Sequence, residues 1–382
     1  MALVRTVAHS SLLLIGLFVS ITSWISHIDQ TSWTPLVAWS VSQWTFIPSL
    51  SKSLQQFAWD RSELEYDAKQ LAPILELPTV NVQEQEDVLQ YLETTYGADW
   101  RDRPVLFKGL WNEADLKSDK RRLSLEGLLK EKLEIPYFTD ASQEGALTPD
   151  AQAPVRQIVA NMMQGAPHKF GTQFIVQTYP ELIEEVAPIP LITQLFGRYF
   201  EPQYLLGTGQ RMLPGPLTVP VFVANGNSRR PPNSPQCITD EGDETCTAST
   251  DESLKRPLTG LHCEPIGNVA VQLSGAKQWT LVDPTYSFRL VPSISPDGRA
   301  FYASWAPTLD HVPRYSTITH AGDAIWVPTW TWHRVDYIES QDLSIGGSLF
   351  HFRPVEFLRR NPLYALLIIP SLVKELAGIK SQ

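Results

Sequence analysis

The second half of the chain, beyond Tyr204, consists of short apolar and β-branched runs separated by proline and glycine. This rhythm is typical of a β-sandwich or β-barrel and disfavours a long helical array. The 382-residue sequence contains 30 prolines, which fits many turns and interrupted strands. Hydrophobic residues make up 43% and charged residues 19%, enough apolar side chain for a core. We therefore expect a mainly β fold with flanking helices (α+β).

An uncharged run occupies residues 7–26, after a single positive charge at Arg5. At about 20 residues it is long enough to span a bilayer as a helix. We predict an uncleaved signal anchor within residues 1–30, because Trp24 and Ile25 crowd the plausible cleavage site. A cleaved signal peptide and a buried helix remain as alternatives.

Composition divides the rest of the chain into three parts. Residues 31–77 become charged from Ser53 onward, and we interpret them as a linker or stalk. Residues 78–360 contain the β-like runs and predict a globular domain, with the polar, acidic stretch at 225–257 inserted as a surface loop. Residues 361–382 predict an apolar C-terminal tail helix.

The charge balance limits the partners of the chain. Lys and Arg total 31 against 41 Asp and Glu, which gives a formal net charge of -10. Because non-specific phosphate binding requires a basic field, nucleic acid is disfavoured as a general partner. The 3 cysteines exclude a disulfide-dense scaffold and a cysteine-only zinc cluster.

Two segments predict a metal site. His262 and Glu264 are two positions apart in an apolar stretch, so on a strand both point to one face while Cys263 points to the other. This spacing alone is weak evidence, because it recurs at His27-Ile28-Asp29 beside the predicted anchor. Downstream, a Gly-Asp turn, an apolar run and a proline precede His333. Two imidazoles and one carboxylate leave adjacent coordination positions open, which suits non-haem Fe(II).

These motifs, taken in order, resemble the JmjC and cupin-like 2-oxoglutarate-dependent oxygenases over roughly residues 78–355. The His-x-Glu motif is followed fifteen residues after its histidine by Lys277, and then by the tryptophan-rich block that ends at His333. The segment from Arg103 to Leu110 is similar to the N-terminal strand of the family. The resemblance implies a double-stranded β-helix, the jelly roll of the cupins.

The resemblance also implies roles for individual residues. The Fe(II) ligands would be His262, Glu264 and His333. Lys277 would pair with the distal carboxylate of the co-substrate 2-oxoglutarate, and Thr259 and Asn268 would line or support that pocket. A lysine directed into a barrel needs a counter-ion, which agrees with this role.

The chain departs from the family pattern in one strand. Where the family often has an asparagine, this sequence has Gly346 and Gly347. We expect one side of the co-substrate pocket to be altered there, with Ser344 or Ser348 as a substitute.

The expected function is that of a membrane-anchored Fe(II)/2-oxoglutarate-dependent oxygenase that hydroxylates a side chain of a protein or peptide. An N-methyl demethylase uses the same chemistry and remains an alternative. A hydroxylase acting on a modified nucleoside is disfavoured by the negative charge and the predicted anchor. The alternative from another class is a catalytically silent cupin-like scaffold, which has no physical need for two histidines and a glutamate inside a barrel.

The position of Arg5 predicts a topology. The positive-inside tendency keeps a short N-terminal segment cytoplasmic and places the catalytic domain in the lumen of the endomembrane system. The opposite arrangement follows if residues 30–51 form a second span. Because an oxidising lumen permits disulfides, we expect Cys237 to bond with Cys246 and Cys263 to stay reduced.

Other conspicuous residues are expected to be structural. The turn at Ser274-Gly275 lies between two apolar runs and predicts a β-hairpin. The tryptophans near His333, which are Trp326, Trp330 and Trp332, are expected to pack in the core. Three further histidines are expected to be structural or peripheral to the metal: His311, His320 and His351.

Overall fold

The computed structural model describes residues 71–118, 120–140, 149–197, 216–226, 258–290, 292–294, 301–304, 308–338 and 342–376, together with Ala306. The chain divides into two compact units. The larger unit comprises Ile74–Leu281 and Tyr315–Arg360. The smaller unit comprises Met1–Pro73, Val282–Arg314 and Asn361–Gln382, and its described residues begin at Leu71.

The described strands, in chain order, are β1 (Ile74–Leu75), β2 (Thr79–Asn81), β3 (Val105–Lys108), β4 (Glu134–Tyr137), β5 (Ala151–Pro154), β6 (Lys169–Thr172), β7 (Pro216–Thr218), β8 (Val221–Ala224), β9 (Leu258–Cys263), β10 (Gly267–Ser274), β11 (Ala276–Val282), β12 (Pro292–Ile294), β13 (Tyr302–Ser304), β14 (Arg314–His320), β15 (Ala324–Val327), β16 (Trp332–Tyr337) and β17 (Ser344–His351). The described α-helices are α1 (Val88–Tyr96), α2 (Glu113–Leu116), α3 (Leu125–Leu128), α4 (Val155–Met163), α5 (Phe174–Thr178), α6 (Ile183–Val186), α7 (Ile189–Phe196), α8 (Pro354–Arg360) and α9 (Pro362–Leu376). Short 3-10 helices occur at Val82–Glu84, Trp100–Asp102, Pro180–Leu182 and Pro284–Leu290.

The larger unit is built around two sheets. The major sheet has the strand order β2-β3-β15-β10-β17-β8-β6, and β7 pairs with β17 outside that path. The minor sheet of this unit has the order β1-β14-β11-β16-β9. A separate hairpin is formed by β4 and β5.

An inner apolar cluster joins the facing sides of the two sheets. The minor sheet contributes Trp279, Leu281, Val335 and Tyr337, and the major sheet contributes residues of β3, β8, β10 and β15. Because side chains alternate across a strand, alternate residues of these strands point into this interior. The arrangement is a sandwich of two sheets with a filled interior.

A larger core covers the opposite face of the major sheet. Here Val269 and Val271 of β10 lie in one cluster with residues of the helices that precede β7 in the chain. The helix α4 illustrates why: Val155, Ile158, Val159 and Met162 form one apolar stripe, and all four are buried. Since both faces of the major sheet are covered, β10 is almost continuously buried.

The smaller unit contains the β12–β13 hairpin and the helix α9. Tyr302 of β13 stacks on Tyr364 of α9 with 4.1 Å between ring centroids, and its hydroxyl donates to the Tyr364 carbonyl at 3.1 Å. Asn361 caps the start of this helix by accepting the backbone N–H of Tyr364 at 3.2 Å.

The mainly β architecture with helices is the one expected from the sequence, and it is consistent with a cupin-type jelly roll. No helix in the described ranges combines the length and apolar character needed to cross a bilayer. The predicted anchor at 7–26, nearly all of the stalk and loop at 31–77 and 225–257, and the Cys237–Cys246 pair lie outside the described residues.

The predicted hairpin at Ser274-Gly275 is wrong. β10 belongs to the major sheet and β11 to the minor sheet, so the two strands are not paired. Gly275 adopts a φ of 66°, a left-handed conformation that glycine tolerates, and the chain crosses there from one sheet to the other. A tight turn between two apolar runs has the same sequence pattern whether the two strands pair as a hairpin or enter different sheets.

Candidate metal centre and adjoining pocket

The histidines of the two sequence motifs meet on adjacent strands of the minor sheet. His262 of β9 and His333 of β16 are direct partners in the antiparallel register, and their ring centroids are 4.2 Å apart. Glu264 follows the last residue of β9. One potential ligand atom from each of these three side chains lies within 4.8 Å of the others. The structure therefore brings the predicted ligand set together.

A β-bulge sets which side chains of β9 accompany the histidine. His262 pairs with His333, but Thr259, three residues earlier, pairs with Val335, only two residues from His333. On a regular strand, residues three positions apart such as Thr259 and His262 point to opposite faces. The extra residue in β9 brings both side chains to the same face. Bulges commonly redirect side chains next to active sites in this way.

Backbone carbonyls fix the orientation of both imidazoles. The Nδ1 of His262 lies 2.8 Å from the Gly260 carbonyl oxygen, and the Nδ1 of His333 lies 3.0 Å from that of Thr331. Because a carbonyl only accepts, each Nδ1 must carry the proton, which leaves Nε2 as the nitrogen with a lone pair. This contact to the second nitrogen is typical of metal-binding histidines.

Burial also suits His333 to a metal. The side chain is buried, and desolvation lowers its pKa to about 4. The ring is therefore neutral at physiological pH, as a metal ligand must be. With two imidazoles and one carboxylate, the donor set fits a divalent transition metal such as Fe(II).

Lys277 of β11 is the second predicted feature of this interior. The side chain is 6% exposed, and its Nζ lies 5.4 Å from the ring centroid of Tyr337 and 5.7 Å from that of Phe222. No carboxylate in the described part of the chain forms an ion pair with it. Desolvation lowers the pKa of this ammonium to about 7. A buried cation without a counter-ion is costly, so this position favours an anionic ligand.

The major sheet leaves room for that ammonium. A Cβ added to Gly346 of β17 would lie 2.8 Å from the Lys277 Nζ and 2.7 Å from the Val271 carbonyl oxygen. Gly347 instead approaches Val186, so it faces the outer core. Of the two glycines, Gly346 is therefore the one that lies against the Lys277 ammonium.

Of the two serines predicted to replace the family's asparagine, Ser344 is already engaged, because its hydroxyl accepts the Gln272 side-chain amide at 3.0 Å. Ser348 is buried and pairs with Ala270, a residue of the inner cluster. Asn268 lies two residues before Ala270, so it shares the inner face. Its Oδ1 is buried and has no hydrogen-bond partner among the described residues.

Two side chains that the sequence did not single out complete this end of the interior. Tyr337 of β16 shares a hydrogen bond with Thr259, and burial raises the pKa of its phenol. Lys169 of β6 is 8% exposed, and its Nζ donates to the Leu258 carbonyl at 2.7 Å and to the Thr259 hydroxyl at 3.4 Å. Alternation from His333 to Tyr337 could have identified the tyrosine. The sequence around Lys169 carries no such signal.

The remaining residues noted in the sequence lie in or beside the core. Trp326, Trp330 and Trp332 are buried, in agreement with the expected packing role. His351 is also buried, whereas His320 is exposed at the end of β14. The Nε2 of His311 lies 2.8 Å from the Arg289 carbonyl oxygen.

No curated protein matches the sequence of this chain. Residues 175–350, which include the three clustered side chains and Lys277, match the family model of the cupin-like domain.

Proposed function

We propose that the protein is an Fe(II)/2-oxoglutarate-dependent oxygenase. The observation that carries this proposal is the combination, in one interior, of a His-Glu-His cluster with a buried lysine whose charge has no carboxylate partner among the described residues. The cupin-like match supports it, because cupin-like domains include enzymes of this class. A silent scaffold has no need for either feature.

In this proposal the metal is held by Nε2 of His262, Nε2 of His333 and the carboxylate of Glu264. Iron bound there supplies the activation of O₂ that couples oxidative decarboxylation of 2-oxoglutarate, to succinate and CO₂, with insertion of one oxygen atom into a substrate C–H bond. The protein fixes the ligands through the Gly260 and Thr331 carbonyls. A set of three protein ligands would leave further coordination positions for 2-oxoglutarate and O₂.

The distal carboxylate of 2-oxoglutarate is the counter-ion that we assign to Lys277. The Thr259 hydroxyl lies at the same end of the interior, since it contacts Tyr337, whose ring lies against the Lys277 ammonium. Asn268 and Ser348 line the opposite wall and offer polar atoms to the co-substrate. The buried setting excludes water from the site and strengthens the charge pair.

We propose a side chain of a protein or peptide as the substrate, with hydroxylation as the reaction. The experiment incubates the purified chain with Fe(II), 2-oxoglutarate and candidate peptides, and measures succinate together with peptide mass. Hydroxylation adds about 16 mass units, whereas removal of an N-methyl group subtracts about 14, which identifies the demethylase alternative.

The matched control for this assay is His320→Ala, which removes an exposed histidine outside the cluster. We expect wild-type succinate formation from this variant and none from His333→Ala. Metal-loaded wild-type protein that neither binds nor consumes 2-oxoglutarate would identify the chain as a scaffold.

We further propose that residues 7–26 anchor the protein and that the catalytic domain lies in the lumen, with a Cys237–Cys246 disulfide. The support is the uncharged length of that run and the charge at Arg5. Protease treatment of sealed microsomes and non-reducing peptide mapping test this topology. Digestion of the domain without detergent, together with free alkylation of Cys237, would reject it.

A further inference from the structure

One residue beside the metal centre has a backbone conformation that its side chain disfavours. Trp330 has a φ of 64°, and it is the only non-glycine residue with a positive φ in the described part of the chain. It occupies the third position of a four-residue turn, closed by a hydrogen bond from the Thr331 N–H to the Pro328 carbonyl at 3.0 Å. Glycine or asparagine usually fills this position in such turns. A bulky residue there persists only where its surroundings enforce it.

The turn contacts the backbone or side chain of two of the three proposed ligand residues. The Trp330 N–H donates to the Glu264 carbonyl oxygen at 2.9 Å, just beyond the end of β9. The next residue, Thr331, offers its carbonyl to Nδ1 of His333 at 3.0 Å. The backbone of this one turn therefore orients Glu264 and His333 together.

The side chain of Trp330 is anchored on α8. Its Nε1–H donates to the Phe357 carbonyl at 2.9 Å, and its ring stacks on the Phe357 ring with 5.5 Å between centroids. Trp330 is fully buried and Phe357 is buried. A glycine at this position would adopt the turn without strain but would have no anchor. The tryptophan gives the turn a fixed attachment to a helix outside the two sheets.

We propose that Trp330 is a positioning residue for the metal centre. Its indole, held by α8, keeps the turn between β15 and β16 in the left-handed conformation that fixes Glu264 and His333 relative to each other. This inference rests on the proposed metal site and adds to it a supporting element, the helix α8. Groups that orient metal ligands typically contribute 10- to 100-fold in metal affinity.

The test compares two buried tryptophans. Trp330→Phe keeps an aromatic ring and removes the N–H that binds α8. Trp100→Phe is the matched control, because Trp100 is equally buried but its indole nitrogen has no hydrogen-bond partner in the part of the chain that the structure describes. Two quantities are measured for each protein. The affinity for Co(II) is measured in the absence of 2-oxoglutarate from the visible absorption spectrum of the bound ion, and the unfolding temperature is measured on the metal-free protein.

We expect Trp330→Phe to weaken Co(II) binding about 10- to 100-fold and to alter the spectrum of the bound ion, whereas Trp100→Phe binds Co(II) like the wild type. Equal losses of Co(II) affinity in the two variants would show a general packing effect and overturn the inference, as would wild-type affinity in Trp330→Phe.

Two further measurements keep the outcome interpretable. If Trp330→Phe does not fold, Phe357→Leu removes the stacked ring while leaving the carbonyl that accepts the indole N–H, and we expect a smaller loss of Co(II) affinity in the same direction. Unchanged affinity in that variant would then overturn the inference. Failure of the wild-type chain to bind Co(II) would reject the metal site itself. If the wild type and Trp330→Phe both bind Co(II) equally well, the metal site stands and only the role of Trp330 is rejected.

Discussion

The two sheets of the larger unit contribute different things to their shared interior. The minor sheet supplies the side chains that we assign to the metal and to 2-oxoglutarate, since His333 and Lys277 come from its strands β16 and β11. The major sheet faces them with the small residues Ala270, Gly346 and Ser348 in β10 and β17, and its neighbouring strands β8 and β6 add Phe222 and Lys169. In our proposal the minor sheet therefore carries the chemistry, and the small residues of β10 and β17 limit the bulk of the wall opposite Lys277. Substitutions in the two walls should accordingly fail in different ways.

The largest effect is expected in the minor sheet at His333. His333→Ala removes a proposed metal ligand, so we expect a loss of metal affinity of more than about 100-fold, since even groups that only orient ligands contribute up to about that much. Calorimetric titration with Mn(II) or Co(II) measures this loss. Retention of wild-type affinity in this variant, with His320→Ala as the control, would remove His333 from the site.

Lys277→Ala should separate co-substrate binding from metal binding within the same sheet. Leaving a buried carboxylate unpaired costs roughly 3–5 kcal/mol, equivalent to about 10²–10³-fold or more in affinity. We expect the 2-oxoglutarate requirement to rise by about that factor while metal affinity stays close to wild type. An unchanged requirement for 2-oxoglutarate would place Lys277 outside the pocket.

Gly346→Ala tests the opposite wall. The new methyl group would collide with the Lys277 Nζ and the Val271 carbonyl, and crowding of this kind typically costs about 1–3 kcal/mol. We expect weaker 2-oxoglutarate binding, by roughly 10-fold, with metal affinity preserved. Gly347→Ala is the matched control, because its methyl group would meet Val186 on the outer face. Equal losses of 2-oxoglutarate affinity in both variants would contradict the assignment of Gly346 to the pocket.

A further expected effect is a dependence of 2-oxoglutarate affinity on pH. The pKa of Lys277 is lowered to about 7, so the side chain becomes neutral as the pH rises above that value. A dicarboxylate binds the protonated form, and we therefore expect the affinity to be nearly constant below pH about 7 and to fall about tenfold per unit above it. In Lys277→Arg the guanidinium stays protonated, so this dependence should disappear. A wild-type affinity that does not change between pH 7 and 9 would contradict the proposed charge pair.

The sequence predicted the members of the site better than their surroundings. Local spacing predicted that His262 and Glu264 would lie together, and the family resemblance added His333 and Lys277. Contacts between elements that are distant in the chain could not be predicted from the sequence. The hydrogen bond from Lys169 to Thr259 joins residues 90 positions apart and depends on the bulge in β9, which no local pattern announces.

The same reason explains the wrong hairpin and the missed role of Trp330. Whether the strands on either side of Gly275 pair or part is decided by the facing sheets, and not by the turn residues. Trp330 adopts a left-handed conformation that a tryptophan intrinsically disfavours, because its tertiary contacts with Phe357 override the local backbone preference. Local rules fail most often at such enforced positions, which is why the structure was needed to find this one.

We propose that this interior binds a metal and 2-oxoglutarate side by side. An oxygen-free calorimetric titration of 2-oxoglutarate into the Fe(II)-loaded chain tests it most directly, with the metal-free chain and Lys277→Ala titrated in parallel. We expect stoichiometric binding that requires the metal and that is weakened about 10²–10³-fold or more in Lys277→Ala. An Fe(II)-loaded wild-type chain that binds no 2-oxoglutarate would contradict it.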